Sequence, residues 1–120
     1  MGLDMYAYMT TETPATPVDF KVKDAHRFFY WRKHPNLHGW MEELYREKGG
    51  DQGFNCVPVQ LTAEDLDRLE AAITGGALPD TSGFFFGQSD GTETNEDLAF
   101  VAAAREALAL GYTVYYDSWW

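Results

Sequence analysis

Three side chains able to hold a divalent metal recur at intervals of four residues. His34, His38 and Glu42 are each about one helical turn apart, so a helix containing all three would place them on one face. Imidazole and carboxylate groups are ligands that zinc accepts. On a helical wheel, His38 and Glu42 lie at the border of the apolar stripe, where side chains stay accessible. Pro35 disfavours helical geometry for His34 and weakens it as the third ligand. The alternative is structural, with His38 pairing with Glu42 or covering the edge of the core.

A mixed aromatic and basic patch surrounds the start of this predicted helix. Aromatic rings stack on bases while cations neutralise phosphate, so such a patch is a candidate binding site. It is also the most concentrated positive charge of the chain, and focused charge attracts ligands. The alternative is that the cations form ion pairs with acidic residues and the tryptophans anchor the core. The candidate binding residues are Tyr30, Trp31, Arg32, Lys33, His38 and Trp40.

No constellation of residues in the sequence predicts catalysis. Cys56 lies in a predicted strand with no histidine nearby in sequence, and we expect a buried, unreactive thiol. Two pairs of glycines, residues 49–50 and 75–76, follow predicted helices. A phosphate-binding loop requires the reverse order, with glycines leading into a helix. We therefore predict neither catalytic residues nor a cofactor.

Stretches rich in aromatic and β-branched residues predict the strands. Residues 18–23 alternate apolar with polar side chains, which predicts a half-buried strand with a basic outer face. Residues 28–31 are a continuous aromatic run, which suits a strand buried on both sides or the approach to such a strand. Pro58 favours an edge position or a bulge. The predicted strands are residues 1–10, 18–23, 28–31, 54–61, 84–86 and 112–116.

Three helices are predicted from apolar spacing and from their end signals. The first begins at Pro35 and ends at the glycines 49–50. The second is capped by Thr62 and ends at the glycines 75–76. The third spans residues 95–110. The expected fold is a single domain over residues 1–120, of the α+β (or α/β) class, with three helices packed on a sheet of four to six strands.

Charge is distributed unevenly along the 120 residues, whose net charge is −10. Residues 1–60 carry 7 Lys and Arg against 8 Asp and Glu, whereas residues 61–120 carry 2 against 11. An acidic chain repels nucleic acid over most of its surface, so nucleic-acid binding is disfavoured outside the basic stretch 21–33. No apolar run approaches the roughly 20 residues of a membrane span. A single cysteine excludes an intrachain disulfide.

Four segments together resemble a family of small phage and prophage proteins that have no established function. They are MGLDMY at the start, YWRK leading to LHGW, LP followed by GFFFG, and a tyrosine-rich end that closes with SWW. The resemblance implies a protein of phage or bacterial origin in the bacterial cytoplasm. It implies no activity and no catalytic residues.

These observations predict a non-enzymatic protein-binding module, whose partner is a host protein or a second copy of the chain. Trp119 and Trp120 bear on the homodimer, because two indoles either fold back on the sheet or contact another chain. One alternative is a small metal-dependent enzyme or metal-binding module centred on His38 and Glu42. A second alternative is nucleic-acid binding through Arg32, Lys33 and their aromatic neighbours. No membrane association is expected.

Overall fold

The computed structural model describes residues 2–81 and 93–120. This part of the chain contains three helices and four strands of an α+β fold, which confirms the predicted class. Their bounds are β1 Asp4–Thr10, β2 His26–Arg32, α1 Pro35–Glu47, β3 Val59–Leu61, α2 Ala63–Thr74, α3 Thr94–Ala109 and β4 Thr113–Trp119.

The strands form one antiparallel sheet in the order β2-β1-β4-β3. Alternation along β1 decides the two faces, because successive side chains of a strand point in opposite directions. Met5 and Ala7 are buried in the core, whereas Tyr6 and Tyr8 point to the other face and are half-buried. The sheet therefore has a core face and an open face, and both central strands contribute to each.

A β-bulge in β2 changes the alternation of that strand. Ala7 pairs with Phe29, but Tyr8 pairs with Arg27, so Phe28 is an extra residue in β2. Both Phe28 and Phe29 consequently contact Phe100 of α3, at 6.0 and 5.5 Å between ring centroids. Arg27 is thereby placed on the open face.

The helices begin and end where local signals predict. Pro35 occupies the first turn of α1, and Gly49 follows its end with a φ of 102°. At α2, the Thr62 side chain accepts a hydrogen bond from Asp65 N, and the Asp65 carboxylate accepts one from Thr62 N. This reciprocal capping box fixes the turn from β3 into α2. None of the helices in the described residues has the length and apolar character that a bilayer span requires.

Three strand predictions need correction. Residues 18–23 do not form a strand, because Asp19 has a φ of 56°, which interrupts extended geometry, and only Val18 bridges to β3. The predicted strand 54–61 is reduced to β3, since Cys56 has a φ of 60° and Pro58 has no N–H to donate. β2 is an edge strand rather than one buried on both sides. The predicted strand 84–86 lies outside the described residues.

The prediction that Cys56 is buried in a strand is also wrong. The thiol is exposed and lies in the loop before β3, where its backbone N donates to Ser118 O at 2.8 Å. Partial burial, with the Asp117 carboxylate as a second cause, raises the pKa of the thiol. A raised pKa lowers the thiolate fraction and therefore the nucleophilicity of the sulfur.

Candidate functional site

Strand alternation divides the predicted binding patch. Tyr30 and Arg32 are exposed on the open face, whereas Trp31 between them is buried. Lys33 follows with a φ of 54° and is also exposed, and its backbone N donates to Leu3 O at 2.8 Å. The other two members of the patch, His38 and Trp40, lie on α1 and not on the open face. The six residues are therefore distributed over two sides of the sheet.

Trp31 belongs to a buried polar cluster with His34 and Asp97. Trp31 Nε1 donates to Asp97 Oδ1 at 3.2 Å, and His34 Nε2 donates to Asp97 Oδ2 at 2.8 Å. Asp97 lies in the first turn of α3, where the positive end of the helix dipole favours a carboxylate. Both carboxylate oxygens are thus satisfied in the core, as a buried anion requires. The cluster joins β2, α1 and α3.

A small cleft of about 180 Å³ borders this cluster. A histidine held by a carboxylate is half of the arrangement that activates a hydroxyl nucleophile. Among the described lining residues, Thr94 carries the only hydroxyl. In the structure, the Asp97 carboxylate holds His34 and Trp31 in place through these two hydrogen bonds. The described lining is His34, Asn36, Ile73, Gly76, Leu78, Glu93, Thr94 and Asp97.

His38 lies inside the core rather than at its border. Its side chain is 1 % exposed, its Nδ1 is hydrogen-bonded to Tyr116 OH at 2.7 Å, and its ring lies 4.9 Å from that of Phe54. Burial lowers the pKa of His38 to about 4, because a buried imidazolium loses its hydration. His38 is therefore neutral at pH 7. Trp40 lies two residues further along α1, is half-buried and packs against the core.

The structure does not bring the three predicted metal ligands together. His34 is bonded to Asp97 and His38 to Tyr116, whereas Glu42 accepts a hydrogen bond from Arg46 at 3.3 Å on the surface of α1. Within residues 2–81 and 93–120, no three His, Cys, Asp or Glu side chains are grouped so that they could hold a metal ion. The spacing of four residues along the sequence therefore does not make a metal site, because each of the three side chains is bonded to a different partner.

The open face of the sheet carries a continuous set of tyrosine rings. Tyr6 lies 5.5 Å from Tyr30 and 6.1 Å from Tyr8, measured between ring centroids. Tyr8 in turn stacks on Tyr115 at 5.2 Å. The guanidinium of Arg27 lies 5.5 Å from both the Tyr6 and the Tyr30 centroid, which is within cation–π distance.

Trp119 extends this surface at the end of β4. It pairs in register with Asp4 of β1 and is 65 % exposed. Asp4 also accepts a hydrogen bond from Tyr30 OH at 2.6 Å. A cavity of about 430 Å³ is lined by Gly2, Asp4, Trp119 and Trp120. We call the four side chains Tyr6, Tyr8, Tyr30 and Trp119 the aromatic face.

The two tryptophans at the end of the sequence have different environments. Trp120 Nε1 donates to Phe54 O at 2.8 Å, and its backbone exchanges two hydrogen bonds with the Asn55 side chain at 3.0 and 2.9 Å. Trp120 thus folds back on the chain. Trp119 is held in β4 by pairing with β1, and its indole is left exposed.

In the described part of the chain, the loop between β1 and β2 covers one end of the open face. Phe20 lies edge-on against Tyr115, with ring centroids 5.2 Å apart. The Glu12 carboxylate accepts hydrogen bonds from the backbone N atoms of Lys23 and Asp24 at 2.9 and 2.8 Å, which holds the loop in place. At the other end, Tyr30 is 42 % exposed.

Several residues of these sites were not singled out as site residues in the sequence. Asp97 and Tyr116, the partners of the two buried histidines, lie 63 and 78 residues away along the chain, and no local pattern links them. The signal for Tyr6 and Tyr8 is their alternation with buried residues of β1. Arg27 is on the open face only because of the bulge.

Comparison with known proteins gives no match: no protein-family model, curated protein sequence or solved structure matches the chain.

Proposed function

We propose that this chain is a non-enzymatic protein-binding module of phage or prophage origin, that it acts in the bacterial cytoplasm, and that it docks on a protein of the host. The observation that carries the proposal is the aromatic face. Tyr30 and Trp119 expose 42 % and 65 % of their surface at one end of the sheet. Tyrosine, tryptophan and arginine dominate the energetics of protein interfaces. An exposed cluster of these side chains is typical of an interaction site.

The aromatic face is also ordered before any partner arrives. The Tyr6 ring is held between Tyr8, Tyr30 and Arg27, and the Tyr30 hydroxyl is fixed by Asp4. Aromatic side chains have few rotatable bonds, so little conformational entropy remains to be lost on binding. This preorganisation supports docking through the ring edges and hydroxyl groups.

A host protein is favoured over nucleic acid by the charge of the molecule. With a net charge of −10, most of the surface would repel a polyanion that lies across it. Carboxylates also lie on the open face itself, where Asp4 pairs with Arg32 in register and Asp117 pairs with Tyr6. A polyphosphate backbone crossing the face would meet both acids.

Site-directed photo-crosslinking in bacterial cells tests this function. A photoreactive amino acid replaces Tyr30 or Trp119 in two variants, and replaces Leu110 in a matched control. Leu110 follows α3 and is 71 % exposed, away from the sheet face. We expect the same protein adduct from positions 30 and 119 and none of it from position 110. Adducts that are identical at all three positions, no adduct at all, or adducts with nucleic acid would contradict the proposal.

A further inference from the structure

The two edges of the sheet are built differently. β3 has three residues, and the loop between β1 and β2 covers its outer side through the Val18–Val59 bridge. Gln60 N donates to Pro17 O at 2.9 Å, and Asp19 N donates to Pro58 O at 3.2 Å. β2 has seven residues, and no backbone group in the described part of the chain pairs with its outer side. A long open edge is a template on which another strand can pair.

The cations around β2 differ from those on or next to the helices. Arg46, Lys48, Arg68 and Arg105 each form an ion pair with a carboxylate on or next to a helix. Arg27, Arg32 and Lys33 form no ion pair with any carboxylate of the described residues. The strand itself, HRFFYWR, contains no acid. Asp4 lies opposite Arg32 in register, so the described residues place three cations against this one carboxylate along the open edge, and the edge keeps a net positive charge.

We infer that the outer edge of β2 binds an extended acidic segment of a partner protein as a fifth strand. The inference rests on the proposed function and names the partner's chemistry. Main-chain hydrogen bonds to β2 supply affinity, and alternate side chains supply specificity. On the open face, the acids of the added strand lie beside Arg27 and Arg32, and an aromatic or branched side chain lies beside Tyr30.

Charge disfavours a second copy of the chain at this edge. In a symmetric antiparallel pair whose two-fold axis passes through Tyr30, the bulge at Phe28 leaves Arg27 of one copy opposite Arg32 of the other. Directly opposite side chains have Cβ atoms about 5 Å apart, and like charges at that distance are destabilising. An acidic strand reverses the sign at both positions. The remote acids of α2 and α3 matter less, because the screening length is about 8 Å at physiological ionic strength.

Titration with short peptides tests the inference on the intact protein. In the probe, two glutamates four residues apart flank a tyrosine at the middle position and valine fills the positions between them, and its matched control carries lysine in place of glutamate. We expect the glutamate peptide to bind and the lysine peptide not to bind. Arg27→Gln and Arg32→Gln are expected to weaken binding roughly two- to fivefold each. Arg68→Gln is the control, because Arg68 pairs with Glu47 between α1 and α2 and is expected to leave binding unchanged.

Backbone pairing is tested separately from charge. Along a strand, successive backbone N–H groups point to opposite edges. Two versions of the glutamate peptide are therefore N-methylated, each on a different alternate set of amides. In only one of the two versions do the methyl groups lie on the edge that faces β2. We expect one methylated peptide to bind and the other to fail. We also expect the outward amides of β2 to exchange rapidly in the free protein and slowly in the complex.

Four results would overturn the inference. They are equal binding of the glutamate and lysine peptides, equal behaviour of the two methylated peptides, absence of binding, and slow exchange of the outward β2 amides in the free protein. Any of these leaves the crosslinking result at Trp119 unaffected, because Trp119 is on β4. Failure of strand addition is thus distinguishable from failure of the aromatic face as a docking surface.

Discussion

Lowering the pH from about 7.5 to about 5 is expected to reduce the free energy of unfolding through the imidazole of His38. In the folded protein, burial lowers the pKa of His38 to about 4, from an ordinary value of 6.5. Below pH 6.5 the unfolded chain therefore binds a proton that the folded protein does not bind. Stability is lost as the pH falls from 6.5 towards 4, and it is unaffected by this group above 6.5.

The expected size of the effect follows from the same two pKa values. The free energy of unfolding changes by about 1.4 kcal/mol per pH unit between them, which gives about 2 kcal/mol at pH 5. For a chain of 120 residues, the entropy of unfolding is about 0.25 kcal/mol per kelvin, so the melting temperature falls by about 8 °C. This loss comes from one side chain that is 1 % exposed.

Thermal unfolding followed by circular dichroism at both pH values measures the effect. His38→Gln keeps a polar group near Tyr116 but cannot gain a proton, so we expect its pH-dependent loss to be smaller by about 2 kcal/mol. His26→Gln is the matched control, because His26 is exposed at the start of β2. It is expected to behave as the parent protein does. An equal loss of stability in the parent and in His38→Gln would refute the reasoning.

Two further substitutions test the packing of the core. Asp97→Ala removes the acceptor of two buried donors and is expected to lower the free energy of unfolding by about 3 to 5 kcal/mol. The control Asp67→Ala removes an exposed ion-pair partner and is expected to lower it by less than about 1 kcal/mol. Similar melting temperatures for the two variants would contradict the buried role of Asp97. Gly50→Ala places a methyl group against the buried ring of Tyr45 and is expected to cost about 1 to 3 kcal/mol in urea unfolding. Gly53→Ala is the control, since nothing lies within 4 Å of its added Cβ, and equal unfolding midpoints would show that the Tyr45 site accommodates the methyl group.

The helices were predictable because their signals are local. Thr62 and Asp65 form the box that begins α2, and Pro35 begins α1. The ion pair between Glu42 and Arg46 is local in the same way. These features depend on residues no more than four positions apart, and a short window of sequence contains all of the interacting groups.

The strands were less predictable because backbone conformation and pairing decide them. The alternation of residues 18–23 fits a strand, but the positive φ of Asp19 ends extended structure after Val18. The bulge at Phe28 lets two consecutive aromatic side chains, Phe28 and Phe29, contact Phe100, although the strand lies at the edge of the sheet. Neither the positive φ of Asp19 nor the bulge at Phe28 occurs at a glycine, so the sequence gives no signal for either one.

The site was predictable only in part, for the same reason. The sequence pointed to Tyr30 and Arg32, which are exposed on one face. It also pointed to Trp31 and His38, whose polar atoms bind distant core residues. Periodicity identifies which side chains share an element, whereas burial depends on what the rest of the chain places against them.

The unequal edges of the sheet also limit how large an assembly can become. A filament grows only when each added molecule offers a fresh attachment point at its far end. Here the far end, β3, is closed by the Val18 bridge and its flanking hydrogen bonds. A molecule that pairs with β2 therefore cannot be followed by another one at β3, and copies of the chain cannot stack edge to edge into a filament.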